Sequence, residues 1–169
     1  GSSAQIQATH SLDIDTVNHL YNQFGALIYS EGDINLSTNN YLYNQSSIIE
    51  SGDQLNISAY KIENQKLSGS QSSHLASGGH MILNGHLDNE NSVIQSGSNL
   101  NINCGNFYNN ADGVVNAKNG TATFGVGSWS NYGFIGANHL DVTASSILNQ
   151  GGDALVLAGT SFNLKTTSG

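Results

Sequence analysis

Proline and arginine are both absent from the 169 residues, lysine and arginine together number four, and cysteine occurs once. Each shortage excludes something. Four lysines against twelve acidic residues leave a formal charge of −8. That removes the basic footprint by which proteins hold nucleic acid or an anionic membrane surface. A lone Cys104 rules out a disulfide framework within the chain. No apolar run reaches the roughly 18 residues of a membrane-spanning helix. No charged segment followed by an apolar one marks a signal peptide either. Charged residues make up only 9% of the chain, against about 25% in ordinary globular proteins.

What fills the space is asparagine (23), serine (23) and glycine (20), together 66 of 169 residues. All three are poor helix formers that compete with the helix for backbone hydrogen bonds, so an all-α fold is excluded. Leucine, isoleucine, valine and phenylalanine still total 41, which lies above the composition of disordered chains and is enough for a core.

The arrangement of those apolar residues is periodic. An apolar-x-apolar pair recurs at Leu12/Ile14, Ile34/Leu36, Leu55/Ile57, Met81/Leu83, Leu100/Ile102, Ala122/Phe124, Leu140/Val142 and Phe162/Leu164. Alternation places residues i and i+2 on one face of a strand, so each pair is a short strand with an inward side. Small residues follow two positions on, among them Thr38, Ala59, Cys104 and Ala144, and a glycine-containing turn precedes nearly every pair. A second marker keeps the same phase, an asparagine two residues after an apolar one: Asn22, Asn44, Asn64, Asn89, Asn109, Asn131 and Asn149. Between the two markers come the doublets Leu27-Ile28, Ile48-Ile49, Val93-Ile94, Val114-Val115, Phe134-Ile135 and Ala154-Leu155.

A unit of about twenty residues cannot close a core alone, but equivalent strands stacked about 4.8 Å apart bury a continuous one. Three strands per unit predict an all-β chain, a parallel β-helix of about seven coils of roughly 20 residues. Residues 1–9 are assigned as a cloning remnant and leading segment, and residues 10–169 as the single repeat domain. In such a stack like residues lie above one another. The seven asparagines are expected to form an amide ladder, with Phe107 beside Trp129 and Tyr21 beside Tyr43. An antiparallel sandwich is the competing arrangement, but it gives no reason for an in-phase asparagine column.

Segments such as Leu20-Tyr21-Asn22-Gln23 with Ile34-Asn35-Leu36, and the run from Asp88 to Ile102, resemble the haemagglutinin repeats of filamentous haemagglutinin-type exoproteins. The resemblance extends from about residue 10 to 165. It implies a right-handed β-helix filament, secreted and held at the bacterial cell surface. Its export partner would be the outer-membrane transporter of two-partner secretion. The family includes adhesins and contact-dependent growth-inhibition exoproteins. Its secretion domain carries Asn-Pro motifs, which a proline-free chain lacks, so the resemblance points to an interior shaft segment.

Parallel β-helices also serve polysaccharide-degrading enzymes, and such an enzyme is one alternative reading. Asp33 and Asp53, at similar turn positions on successive units, are the one carboxylate pair suited to general acid/base work; turn capping explains both without catalysis. His74, His80 and His86 recur every six residues and three imidazoles can bind Zn²⁺, but no fixed ligand motif holds them. Neither a catalytic set, a cofactor fingerprint nor a metal site is therefore assigned. Cys104 is expected to be a buried structural thiol. The one irregular interval, from Leu55 to Met81, carries a Ser/Gly-rich insertion, and Ser70, Gln71, Ser72, Ser73 and His74 form the candidate binding loop. The expected function is a non-enzymatic shaft segment, with an adhesive module that itself binds a cell-surface receptor or glycan as the alternative.

Overall fold

The computed structural model describes residues 4–167. Fifteen strands follow in chain order: β1 (Gln5–Ala8), β2 (Ser11–Thr16), β3 (Leu20–Gln23), β4 (Leu27–Ser30), β5 (Asp33–Thr38), β6 (Tyr41–Gln45), β7 (Ile48–Ser51), β8 (Leu55–Gln65), β9 (His74–Ser77), β10 (Met81–Glu90), β11 (Val93–Ser96), β12 (Leu100–Asn109), β13 (Val114–Asn131), β14 (Phe134–Asn149) and β15 (Leu155–Thr166). Every pairing among them is parallel, and no helix occurs among the described residues. The chain is a β-solenoid of about eight turns.

Three faces run along the axis. On the first, all eight apolar pairs stand in register, from Leu12 on Ile34 through Leu100 on Ala122 to Leu140 on Phe162. The second carries the asparagine column, with Asn22 on Asn44, Asn44 on Asn64, Asn89 on Asn109 and Asn131 on Asn149. The third stacks Ile28, Ile49, Leu75, Ile94, Val115 and Ile135 inward, followed two residues on by Ser30, Ser51, Ser77, Ser96, Ala117 and Ala137. Inward side chains of all three faces merge into one core, whose largest buried side chains are Trp129, Phe107 and Phe124. Phe107 and Trp129 stack at 6.3 Å between ring centroids, and Phe124 meets both edge-on. That is the offset and edge-to-face geometry aromatic rings prefer.

The corners decide which residues can turn the chain. After the asparagine face, Phe24, Ser46 and Asn91 each stand two positions beyond a ladder asparagine with φ of 59°, 53° and 49°. This is a left-handed conformation that costs most side chains about 1–2 kcal/mol. Between the third face and the first, Gly97 lies so close to the carbonyl of Gly78 one coil below that any Cβ would overlap it. Glycine is required there by the closeness of the coils, not by its own dihedral angles.

Three expectations need adjustment. The coils number about eight instead of seven, because β1 pairs with β4 and brings part of the leading segment 1–9 into the stack. The cloning-remnant assignment of Gly1-Ser2 lies outside the described residues. In the last coil the doublet in phase is Leu155-Val156, not Ala154-Leu155, since Phe134 pairs with Leu155 and Ile135 with Val156. The insertion occupies residues 66–72: Ser73 is fully buried and His74 opens β9 in register with Ile48 and Val93.

Candidate functional site: the asparagine ladder and the outward tyrosine face

The seven asparagines form one continuous chain of hydrogen bonds. The Nδ2 of Asn22 donates to Oδ1 of Asn44, and the same link joins Asn44 to Asn64, Asn64 to Asn89, Asn89 to Asn109, Asn109 to Asn131 and Asn131 to Asn149, each at 2.8 Å. The second hydrogen of each amide from Asn22 to Asn131 is also used, that of Asn131 going to the Gly133 carbonyl. The others go to a backbone carbonyl at the corner, Ile48 for Asn22, His74 for Asn44, Val93 for Asn64, Val114 for Asn89 and Phe134 for Asn109. Burial of an amide is tolerated only when its donors and acceptor are paired. Asparagine alone fits: aspartate has no donor, and glutamine is one methylene too long for the space.

Serines perform the corresponding task at the same corner. Ser73 Oγ donates to the Gln65 carbonyl at 2.6 Å and accepts from the Ser47 amide, while the Ser73 amide donates to Ser92 Oγ. Of the candidate binding loop, then, Ser73 is a structural corner residue, and Ser70, Gln71 and Ser72 form the protruding part. A shallow polar groove lies beside it, lined by Lys66, Leu67, Ser68, Ser72, Asn91 and Asp112. His74 faces solvent from β9.

The outward side of the asparagine face presents a cluster that sequence reasoning found only in part. Tyr21 and Tyr43 stack at 4.9 Å with their planes 4° apart, and Tyr41 adds a third parallel ring 5.6 Å from Tyr43. His19 sits tilted against all three at 5.4–5.8 Å. Tyr60 meets Tyr41 on one side and His86 on the other. Tyr21 and Tyr60 are 59% and 58% exposed. The signal for Tyr41 and His19 was present: they flank the inward Leu42 and Leu20, as Tyr43 and Tyr21 do on the other side. Tyr60 and His86 lie at the bend between faces, where β10 shifts register against β8 between Asn84 and His86, so spacing alone does not place them.

Beyond the tyrosines the same outward columns turn ionic. Lys61 Nζ lies 2.9 Å from Glu63 and 2.6 Å from Asp88. Burial works against the Lys61 ammonium, but its hydrogen bonds to Asp88 and Glu63 outweigh it and hold the pKa above the ordinary lysine value. Tyr43 is also raised, first by burial and then by the Glu63 charge one rung above it. Alongside runs an amide row, Gln23 to Gln45 to Gln65 and on to the Glu90 carboxylate.

The other candidates are scattered. Asp33 registers with Gln54, not Asp53, and its carboxylate accepts the Gln54 amide at 3.1 Å. His80 Nδ1 lies 3.4 Å from Ser98 Oγ and His86 Nδ1 accepts from the Asn106 amide, so these histidines have separate partners. No group of three metal-ligating side chains occurs among the described residues. Cys104 stands in the expected column, in register with Val126, but is only partly buried, whereas Val126 and Ala144 beyond it are buried. Burial pushes its thiol up to about 12.

Compared with protein-family profiles, with curated proteins and with solved structures, the chain shows no match.

Proposed function

We propose that the chain is a non-enzymatic shaft segment of a large secreted bacterial surface exoprotein, an adhesin or contact-dependent inhibition filament. It passes the outer membrane through a two-partner secretion transporter and holds a functional tip away from the cell. The observation that supports this reading most is the unbroken ladder from Asn22 to Asn149. A fold that commits its buried amides to joining each coil to the next is organised for axial continuity, and eight coils at about 4.8 Å each extend for about 38 Å. The net charge of −8 suits a rod that must stay soluble along its length, since like charge keeps neighbouring rods apart.

Removing one register repeat, residues 100–121, from the exported parent tests the reading. The expected result is a filament shortened by about one coil rise, still exported and still carrying its tip activity. Loss of that activity with export and folding intact would count against a shaft.

A further inference from the structure

We propose that the stacked pair Tyr21 and Tyr43 is an oxidative cross-linking site, at which a phenol-oxidising haem peroxidase joins two neighbouring coils by a carbon–carbon bond, a role independent of the shaft reading. The side chains an oxidant ordinarily attacks first are sheltered in this fold. Met81 and Trp129 are buried in the core. The Cys104 thiol is partly buried and held protonated, whereas oxidation of cysteine follows thiolate character and exposure. The tyrosines of the second face, by contrast, reach the surface and are contiguous: Tyr21 is 59% and Tyr60 58% exposed, with Tyr41 and Tyr43 between them.

Within that group Tyr21 and Tyr43 are the pair the coils hold ready. They occupy the same position of β3 and β6, directly in register, with ring planes 4° apart and centroids at 4.9 Å. Both phenols therefore leave the same face side by side, and rings stacked that closely admit no side chain between them. Tyr41 also lies near Tyr43, but on the same strand, so coupling of those two would join no coils. The chemistry balances. Each phenol gives up one electron and its O–H proton, and the two radicals pair at a ring carbon beside each oxygen. The hydrogens on those carbons then shift to the oxygens and restore both aromatic rings. The pair loses two electrons and two protons in all, which the peroxidase passes to one hydrogen peroxide to give two waters. The new bond ties β3 to β6 covalently.

The test is oxidation of the whole chain, in dilute solution, by a haem peroxidase with hydrogen peroxide, followed by digestion after aspartate and glutamate. Cleavage at Glu31 and Asp33 places Tyr21 and Tyr43 on separate peptides. A bond between them gives one joined peptide, two hydrogens lighter than its parts and with dityrosine fluorescence. That peptide is expected from monomeric protein. Tyr21→Phe and Tyr43→Phe keep the rings and the stack but lack the phenol, and each should abolish it; Tyr108→Phe should leave it unchanged. Tyr108 and Tyr132 are the internal comparison, 5.5 Å apart but tilted by 49° and separable at Asp112, and should couple far less. Absence of the joined peptide overturns the proposal. So does equal coupling of Tyr108 to Tyr132, coupling confined to Tyr41 and Tyr43 or to pairs of molecules, or a joined peptide undiminished in the two phenylalanine variants.

Discussion

Asn89→Ala removes one rung from the middle of the ladder, and its cost can be worked from the contacts. Asn89 is fully buried, accepts from Asn64 and donates to Asn109, with further bonds to the carbonyls of Ser92 and Val114. Truncation leaves a donor hydrogen on Asn64 and the Oδ1 of Asn109 without their ladder partners. Each buried orphan costs about 1–3 kcal/mol, or about 2–6 kcal/mol for the two. Asn64 keeps its second bond to the Val93 carbonyl, so the lower half of that range, about 2–4 kcal/mol, is expected. For a chain of this size each kcal/mol lowers the melting temperature by about 2–4 °C, giving a fall of about 4–16 °C. The control is Asn91→Gly. Asn91 is two residues away at φ 49°, where glycine is at ease, and the substitution should change stability by less than about 0.5 kcal/mol. Asn149→Ala, at an exposed rung, should fall between them. Thermal unfolding followed by circular dichroism decides the matter: equal melting temperatures for Asn89→Ala and Asn91→Gly would refute the ladder as a source of stability.

Ser73→Ala should destabilise by about 1–2 kcal/mol through its lost corner bonds, whereas deleting Ser68 to Gln71 should leave chemical denaturation nearly unchanged, because closure entropy varies slowly with loop length. The Cys104 thiol should react slowly with a thiol reagent at pH 8 in the native protein and quickly once unfolded. Because its folded pKa is raised from 9.0 to about 12, the neutral thiol's contribution is complete below pH 9 and is lost as pH rises toward 12. Cys104→Ala should therefore flatten the decline in stability across that window, measured against the parent chain. Lys61→Met leaves Glu63 and Asp88 side by side on adjacent rungs. A loss of up to about 1 kcal/mol is expected, partly restored by added salt, and a salt-independent loss would point to packing instead.

The core was legible because inward positions obey one constraint in every coil. Leu55, Met81 and Leu100 repeat because each must fill the same space, and Asn64, Asn89 and Asn109 because each must meet the same two partners. Outward positions are free to differ, so the columns through Tyr41, Lys61 and His86 carry no repeating identity, and the tyrosine cluster surfaced only as the single pair Tyr21 and Tyr43. Ser73 reads as part of the insertion for a related reason. Its composition matches the flexible insertion, while its burial follows from Ser47 and Ser92, which lie 26 and 19 residues away. The slip at Ala154-Leu155 has a local cause: five residues separate Asn149 from Leu155, against two between Asn131 and Phe134, so the spacing from the asparagine does not fix the phase of the next strand. Cys104 shares its column with the buried Val126 and Ala144 yet is only partly buried itself, so column membership alone does not fix depth.

The links from Asn22 to Asn149 all point the same way, with every amide donating toward the later coil. The ladder is therefore a polar wire whose aligned dipoles reinforce one another, and its two termini are chemically different: Asn22 offers a carbonyl oxygen, Asn149 an N–H. A coil added beyond Asn149 has to supply an acceptor, and one added before Asn22 a donor. Two such rods can extend one another head to tail, while a head-to-head junction would set acceptor against acceptor. Direction is thus written into the interior of the fold, and any array built from these coils inherits a front and a back.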